Sequence, residues 1–220
     1  MPSYSSKSWN AEIGERARAL FPVKLVLITA GICAFMAGYF LLLHNPPGPA
    51  FKMPLTALDR RIPFQPAWVV AYFTLWFYVS LGPGLQRDLR ALAHYGVWVG
   101  LMSLTALVCF RFWPTGMPHD VLETGDFPGY GILRGVDKSG NTCPSMHVAA
   151  AVFTGIRIDA ILRFARTPAT LRFLNATWAA AIVYSTLAVR QHCLWDVLGG
   201  ALLGGVFAVV SLKFVPKSVP

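Results

Sequence analysis

Residues 23–43, VKLVLITAGICAFMAGYFLLL, hold 21 positions with a single charge, Lys24, near one edge. About 20 apolar residues in a row span the hydrocarbon core of a bilayer. Inside that core each backbone N–H and C=O must be satisfied within the chain, and a helix does this alone. Five further apolar stretches follow, at 67–85, 91–113, 146–165, 173–190 and 194–215. The chain therefore reads as an all-α polytopic membrane protein, a single domain over 1–220 with six transmembrane helices in one bundle. The first stretch is too long for a cleavable signal, and no small-residue cleavage site follows it. Only 13% of residues are charged, against about a quarter in soluble domains, so composition agrees.

The net charge of +9 would suggest nucleic acid as a partner of a soluble protein. In a membrane protein the distribution of Lys and Arg matters more, and no nucleic-acid partner is expected. With the N-terminus inside, eleven of them fall inside and seven outside, and Arg157 lies within the fourth stretch. The excess favours cytoplasmic N- and C-termini in a bacterial inner membrane, with the 114–145 connection outside. The inner connections 86–90 and 166–172 are short and basic, whereas the outer ones, 44–66 and 114–145, are long and rich in Pro and Gly. Long loops are more often functional or disordered than filler. Within the first, LTALDRRIPF reads as a short interfacial helix or as plain packing. Residues 1–22, with Trp9, Ile13, Ala17 and Leu20 at helical spacing, read the same way.

Ionisable groups at membrane depth usually mark a pathway or a site. They gather in STLAVRQHCLWDVLGG (185–200), where Asp196 follows His192 by four. On a helix starting near 192 these two share a face, so the carboxylate can orient the imidazole and leave its other nitrogen to act. A second group is CPSMH (143–147). Pro144 and Ser145 suit an ordinary helix start, Ser145 as N-cap. His147 in the first turn is not explained that way, and a helix N-terminus also suits a phosphate. Two histidines, a carboxylate and nearby cations suit phosphoryl transfer from a lipid. One imidazole attacks phosphorus, the cations hold the oxygens, and the second imidazole protonates the leaving alkoxide. A metal held by His147, His192 and Asp196 is the rival reading, opposed by the neighbouring Arg190, Arg134 and Lys138. No metal or organic cofactor is expected.

CPSMH resembles the Pro-Ser-x-His motif of the type-2 phosphatidic acid phosphatase superfamily. H192-C-L-W-D196 followed by V-L-G-G resembles that superfamily's later motif, which ends His-x-x-x-Asp. The common Ser-Arg before the histidine is replaced by Ser185 and Thr186, with the basic residue moved to Arg190. This pattern, with IPFQPAW (62–68) and the Trp-Pro-Thr of 113–115, is similar to the inositol phosphorylceramide synthase branch. The superfamily's first motif, K-x-x-x-x-x-x-R-P, is not intact, and His119 stands in MPHD where its Arg-Pro end is sought.

The resemblance implies catalytic motifs within 143–200. It makes His192 the nucleophile that becomes phosphohistidine, Asp196 its orienting partner and His147 the general acid. Ser145 and Arg190 bind phosphate. Lys138 and Arg134 are added from the loop, where each is a phosphate clamp or a solvated charge. The expected function is a metal-independent phosphatase acting on a lipid phosphomonoester or diphosphate at the outer face. The alternative is transfer of a phospho-headgroup to a ceramide- or diacylglycerol-like alcohol. A non-catalytic transporter or scaffold of the same fold is a third reading.

The remaining polar residues read structurally. Asp159 pairs with Arg163, Arg157 faces the bundle or the inner interface, Arg111 snorkels, and His94 is packed or snorkelling. Tyr72, Trp76 and Phe77 face lipid or pack, and Gly199, Gly200, Gly204 and Gly205 allow close helix contact. A Cys143–Cys193 disulfide is the minority reading against an unbridged pair.

Overall fold

The computed structural model describes residues 8–118 and 141–215. Apart from one pair of two-residue strands, the regular structure is helical: α1 (Trp9–Arg18), α2 (Phe21–His44), α3 (Ala57–Arg61), α4 (Val69–Phe73), α5 (Leu75–Gly84), α6 (Leu89–Phe112), α7 (Met146–Phe164), α8 (Ala169–Ala188) and α9 (Leu194–Lys213). Helices α2, α6 and α9 are long and apolar enough to cross a membrane. The chain is a membrane protein of the all-α class.

Each of the six apolar stretches is helical, and the segments alternate in direction between two ends. At one end Lys24 Nζ donates to the Gly84 carbonyl at 2.8 Å, joining the start of α2 to the end of α5. The Arg16 guanidinium lies over the Phe164 ring, setting α1 beside the end of α7. At the other end the starts of α7 and α9 meet, where Ser145 N–H donates to Asp196 O at 3.0 Å. Gln65 N–H donates to the Ala188 carbonyl there, joining the head of α4 to the tail of α8.

Helix α7 is the centre of the bundle, packed against α9, α8 and α5. Lipid tails are as apolar as leucine, so helix association rests on close packing and interhelical hydrogen bonds. Both are present. A Cβ on Gly200 or Gly204 would overlap the carbonyls of Ser145 and Ala149, so only glycine lets α9 approach α7 this closely. Tyr78 Oη donates to Asn175 Oδ1 (2.8 Å), and Asn175 Nδ2 donates to the Gly155 carbonyl (2.9 Å), tying α5, α8 and α7 together. Arg157, 4% exposed, turns into the bundle and donates to Ser211 Oγ.

Three expectations change. The second apolar stretch is not one helix: a short 3-10 turn, Pro66–Trp68, leads into α4, and Thr74 separates α4 from α5. Thr74 Oγ1 donates to the Ala71 carbonyl at 2.6 Å, competing with the helical ladder. In α1 the buried residues are Glu12 and Arg16, ion-paired at 2.8 Å, while Trp9 is 39% exposed. Of the apolar spacing Ile13 alone packs against the core, and the helix also docks through Lys24, whose Nζ donates to Arg16 O. Among the four glycines of α9 singled out for close contact, Gly205 faces open space.

The long connections knit over the end that carries both motifs. Strands β1 (Phe51–Lys52) and β2 (Thr115–Gly116) pair in parallel, and Thr115 also bridges to Asn141. Thr115 Oγ1 accepts from Cys143 N at 2.8 Å. LTALDRRIPF does contain a helix, α3, started by a capping box between Thr56 and Asp59.

Candidate active site

The second motif is built by the turn between α8 and α9. Arg190 sits at φ 55°, in the left-handed region, and reverses the chain there. The Thr186 carbonyl accepts from both Gln191 N–H (3.1 Å) and His192 N–H (3.2 Å), so Thr186 terminates α8 by its backbone. Its own hydroxyl bonds the Val183 carbonyl. The turn delivers His192, 4% exposed, and Asp196, fully buried. Asp196 Oδ2 accepts from Cys193 N–H at 3.0 Å, which fixes the carboxylate in the first turn of α9. His192 Nδ1 lies 3.6 Å from that same oxygen, within ion-pair range but longer than a hydrogen bond. The expected orienting pair is thus together.

Ser145 caps α7, its Oγ accepting from Val148 N–H at 3.3 Å. The helix-start reading of this serine is therefore satisfied, and the same cap aims the first turn of α7 at the second motif. There the His147 and His192 rings stand with centroids 6.0 Å apart. Residues 45 positions apart in sequence are thereby brought to one place.

Of the two readings of Tyr72, packing is the one that holds: it is 3% exposed and stacks on His147 at 4.2 Å and 22°. Its hydroxyl lies 3.4 Å from His147 Nδ1. Trp76 meets the same imidazole edge-on at 6.3 Å. Phe77 does face outward, 68% exposed. Asp59 is a residue the pattern did not reveal. Its Oδ1 accepts from Leu194 N–H at 2.8 Å, placing a negative charge at the start of α9 while its Oδ2 caps α3.

Arg190 is 9% exposed; Nη2 donates to the Ile62 carbonyl at 2.9 Å, and Nε has no hydrogen-bond partner among the described residues. Both amide atoms of Gln191, both ring nitrogens of His192 and Asp196 Oδ1 are in the same condition, and all are buried. Buried polar atoms are nearly always hydrogen-bonded, so such a concentration points to a place where a polar ligand sits. Lys138, Arg134 and His119 lie outside the described residues. Arg111 stays at its helix end with its guanidinium 5.8 Å from the Phe112 ring.

The rival metal reading needs converging donors. Among the described residues no three His, Cys, Asp or Glu side chains gather as a metal-holding group. Cys143 and Cys193 are both free. Burial and the nearby Asp196 carboxylate push each thiol up to about 12.

The histidine pair closes one end of a cavity of about 770 Å³ walled by α2, α5, α6 and α7. Its lining is almost wholly apolar, including Phe35, Val79, Met102 and Phe153, with His147, His192 and Asn141 at the polar end. Asn141 is held there by donating to the Tyr39 carbonyl at 3.1 Å.

No curated protein and no solved structure matches the chain. The family model of the PAP2 superfamily matches residues 111–220, a range that contains both motifs and half of the chain. The chain belongs to the PAP2 superfamily, whose members are generally phosphatases and phosphotransferases.

Proposed function

We propose that the protein is a membrane-embedded phosphatase that hydrolyses a lipid phosphomonoester or diphosphate through a phosphohistidine on His192. The observation that carries this reading is the pair of motif histidines, 6.0 Å apart, at the polar end of an apolar cavity. A phosphate at that end would have both imidazoles in reach while its hydrocarbon lay among apolar side chains.

In the first step His192 Nε2 attacks phosphorus, an N–P bond forms, and the ester P–O bond breaks. Asp196, beside Nδ1, balances the positive charge that develops on the ring. His147 gives its proton to the departing alkoxide. Tyr72, stacked against His147 with its hydroxyl toward Nδ1, holds the ring so that Nε2 serves as donor. In the second step His147, now neutral, takes a proton from water, water oxygen attacks phosphorus, and the N–P bond breaks to release phosphate. The first-turn N–H groups of α7 and the Arg190 guanidinium stabilise the equatorial oxygens, with Lys138 and Arg134 as further candidate clamps. No step calls for a metal.

The other parts of the reading rest on chain properties. The alternating helices and the charge excess of the short connections support six crossings, termini in the cytoplasm and a site facing the outer side of a bacterial inner membrane. The pattern around Arg190 resembles the inositol phosphorylceramide synthase branch, so an alcohol in place of water at the second step is the alternative.

The test is phosphate release from detergent-dispersed lipid phosphates in EDTA, comparing the wild type with His192→Ala. Release by the wild type and none by the variant is the expected result. Release only when an alcohol acceptor and intact phospholipid donor are supplied would replace hydrolysis by transfer. Equal release by both proteins would remove His192 from the mechanism.

A further inference from the structure

The turn from α8 to α9 carries Arg190 and His192 and leads to Asp196, and its shape is imposed partly from outside. Arg190 stands in the left-handed region, which a residue with a side chain keeps only where its surroundings enforce it. Those surroundings include one piece of the first long connection, residues 55–65, which lies across the turn as a strap. Before the turn, Gln65 N–H donates to the Ala188 carbonyl at 2.9 Å and Gln65 Nε2 donates to Tyr184 Oη at 2.8 Å. Within the turn, Arg190 Nη2 donates to the Ile62 carbonyl at 2.9 Å. After it, Leu194 N–H donates to Asp59 Oδ1 at 2.8 Å. Apolar contacts repeat the pattern. Phe64 packs against the cluster of Tyr72 and Val189, and Leu55 against that of Met117 and Cys193.

Asp59 is the tie that joins two helix starts. Its Oδ2 accepts from both Thr56 N–H and Thr56 Oγ1–H at 2.7 Å, completing the capping box of α3, while its Oδ1 reaches the first turn of α9. Leu194 stands midway between His192 and Asp196 in sequence. Asp59 is 7% exposed and does not line the cavity that the histidines close, so it meets the chemistry only through α9.

We infer that Asp59 is a positioning residue for phosphoryl transfer: by holding Leu194 N–H it sets the start of α9, and with it the placement of His192 against Asp196. The inference rests on the phosphatase reading for the reaction and adds the residue that keeps its nucleophile in place. Such a residue matters because a reacting group displaced by about 1 Å can lose about 10²-fold in rate.

The experiment separates the two bonds of Asp59. Glutamate is a usual residue at this place in a capping box, so Asp59→Glu keeps the start of α3 but shifts the carboxylate by a methylene relative to Leu194 N–H. Asp59→Asn keeps an oxygen at its old reach for Leu194 N–H and gives up the second acceptor for Thr56. Phosphate release from dioleoyl phosphatidic acid and from farnesyl diphosphate is measured for both variants. Asp59→Glu should lower kcat by about 10²-fold, with KM within about twofold of the wild type and an unchanged melting temperature. Asp59→Asn should lower kcat by no more than about fivefold, as for one hydrogen bond made to a neutral acceptor in place of a charged one. The reverse order, equal losses, or no loss in either variant would overturn the inference and leave Asp59 as the cap of α3. A loss confined to KM would overturn it as well. If the wild type releases phosphate from neither lipid, the phosphatase reading fails by itself, and hydrogen exchange at the 190–196 amides decides the placement. Faster exchange there in Asp59→Glu than in Asp59→Asn supports it, and equal exchange overturns it.

Discussion

The two ends of the bundle handle buried polar groups in opposite ways. At the end formed by α1, the start of α2 and the tail of α7, partners are supplied from within the protein. Glu12 pairs with Arg16, Asp159 with both Arg163 and Arg172, and Lys24 Nζ donates to two backbone carbonyls. Among the described residues Arg16 Nη2 and His94 Nδ1 have no hydrogen bond there, although the Arg16 guanidinium lies over the Phe164 ring. At the end where α7 and α9 begin, Arg190, Gln191, His192 and Asp196 all keep buried atoms without a hydrogen-bond partner among the described residues. Leaving a buried polar group unsatisfied costs about 1–3 kcal/mol. The first end is organised for stability, and the second bears a standing cost that a bound phosphate would relieve.

That contrast can be broken by substitution. His192→Ala should lower turnover by about 10⁴-fold or more, since it removes the attacking atom. A smaller loss with an unchanged lipid preference would mean the nucleophile lies elsewhere. His147→Ala should lower turnover by up to about 10⁴-fold for an alkyl phosphate. For a nitrophenyl phosphate, whose leaving group needs no proton, the first step should be spared. A first step, read as the burst of released alcohol, slowed as much for the nitrophenyl as for the alkyl phosphate would reduce His147 to a binding residue.

The thiols sharpen the same comparison through pH. With Cys143 and Cys193 pushed up to about 12, their thiolate fraction at pH 8 is about 10³-fold below that of a thiol with its ordinary value. Iodoacetamide should therefore label them about a thousandfold more slowly in the folded protein than after denaturation. The thiol keeps its proton in the folded state up to about pH 12. An unfolded chain loses that proton from about pH 9, so this contribution to stability falls as pH rises between those values. Fast labelling of the native protein at pH 8 would show an exposed, ionisable site.

Tyr72→Phe keeps the ring on His147 and removes the hydroxyl from Nδ1. About a tenfold loss in kcat is expected, together with a displaced basic limb of the pH profile. A lower kcat with an unmoved profile would assign Tyr72 to packing. The smallest effect belongs to the opposite end. Arg163 is 64% exposed, so Arg163→Ala should change stability by less than about 1 kcal/mol and leave turnover alone. A large loss of activity there would abolish the distinction between the two ends.

Much of this was legible in the sequence. The six apolar runs are helical, and three of their helices are long and apolar enough to cross a membrane. Ser145, His147, Arg190, His192 and Asp196 stand out by the spacing of the two motifs, and the fold brings the two histidines to within 6.0 Å of each other. Other features were hidden for physical reasons. Tyr72 lies 75 positions before His147, and periodicity cannot distinguish an aromatic facing lipid from one facing a histidine. Asp59 looked like part of a surface helix, because its bond to Leu194 N–H depends on how a loop folds over the bundle. The break at Thr74 comes from one hydroxyl bonding its own helix, which apolar counting does not see.

The central claim is that His192 carries the phosphoryl group. His147→Ala, supplied with nitrophenyl phosphate, should pass the first step and stall at the second, where His147 is needed as a base. Intact-protein mass spectrometry at neutral pH should then find the added mass of one phosphoryl group, acid-labile and mapped to His192, and absent when His192→Ala is added. Continued turnover with no adduct on His192, or an adduct on another residue, would contradict the account.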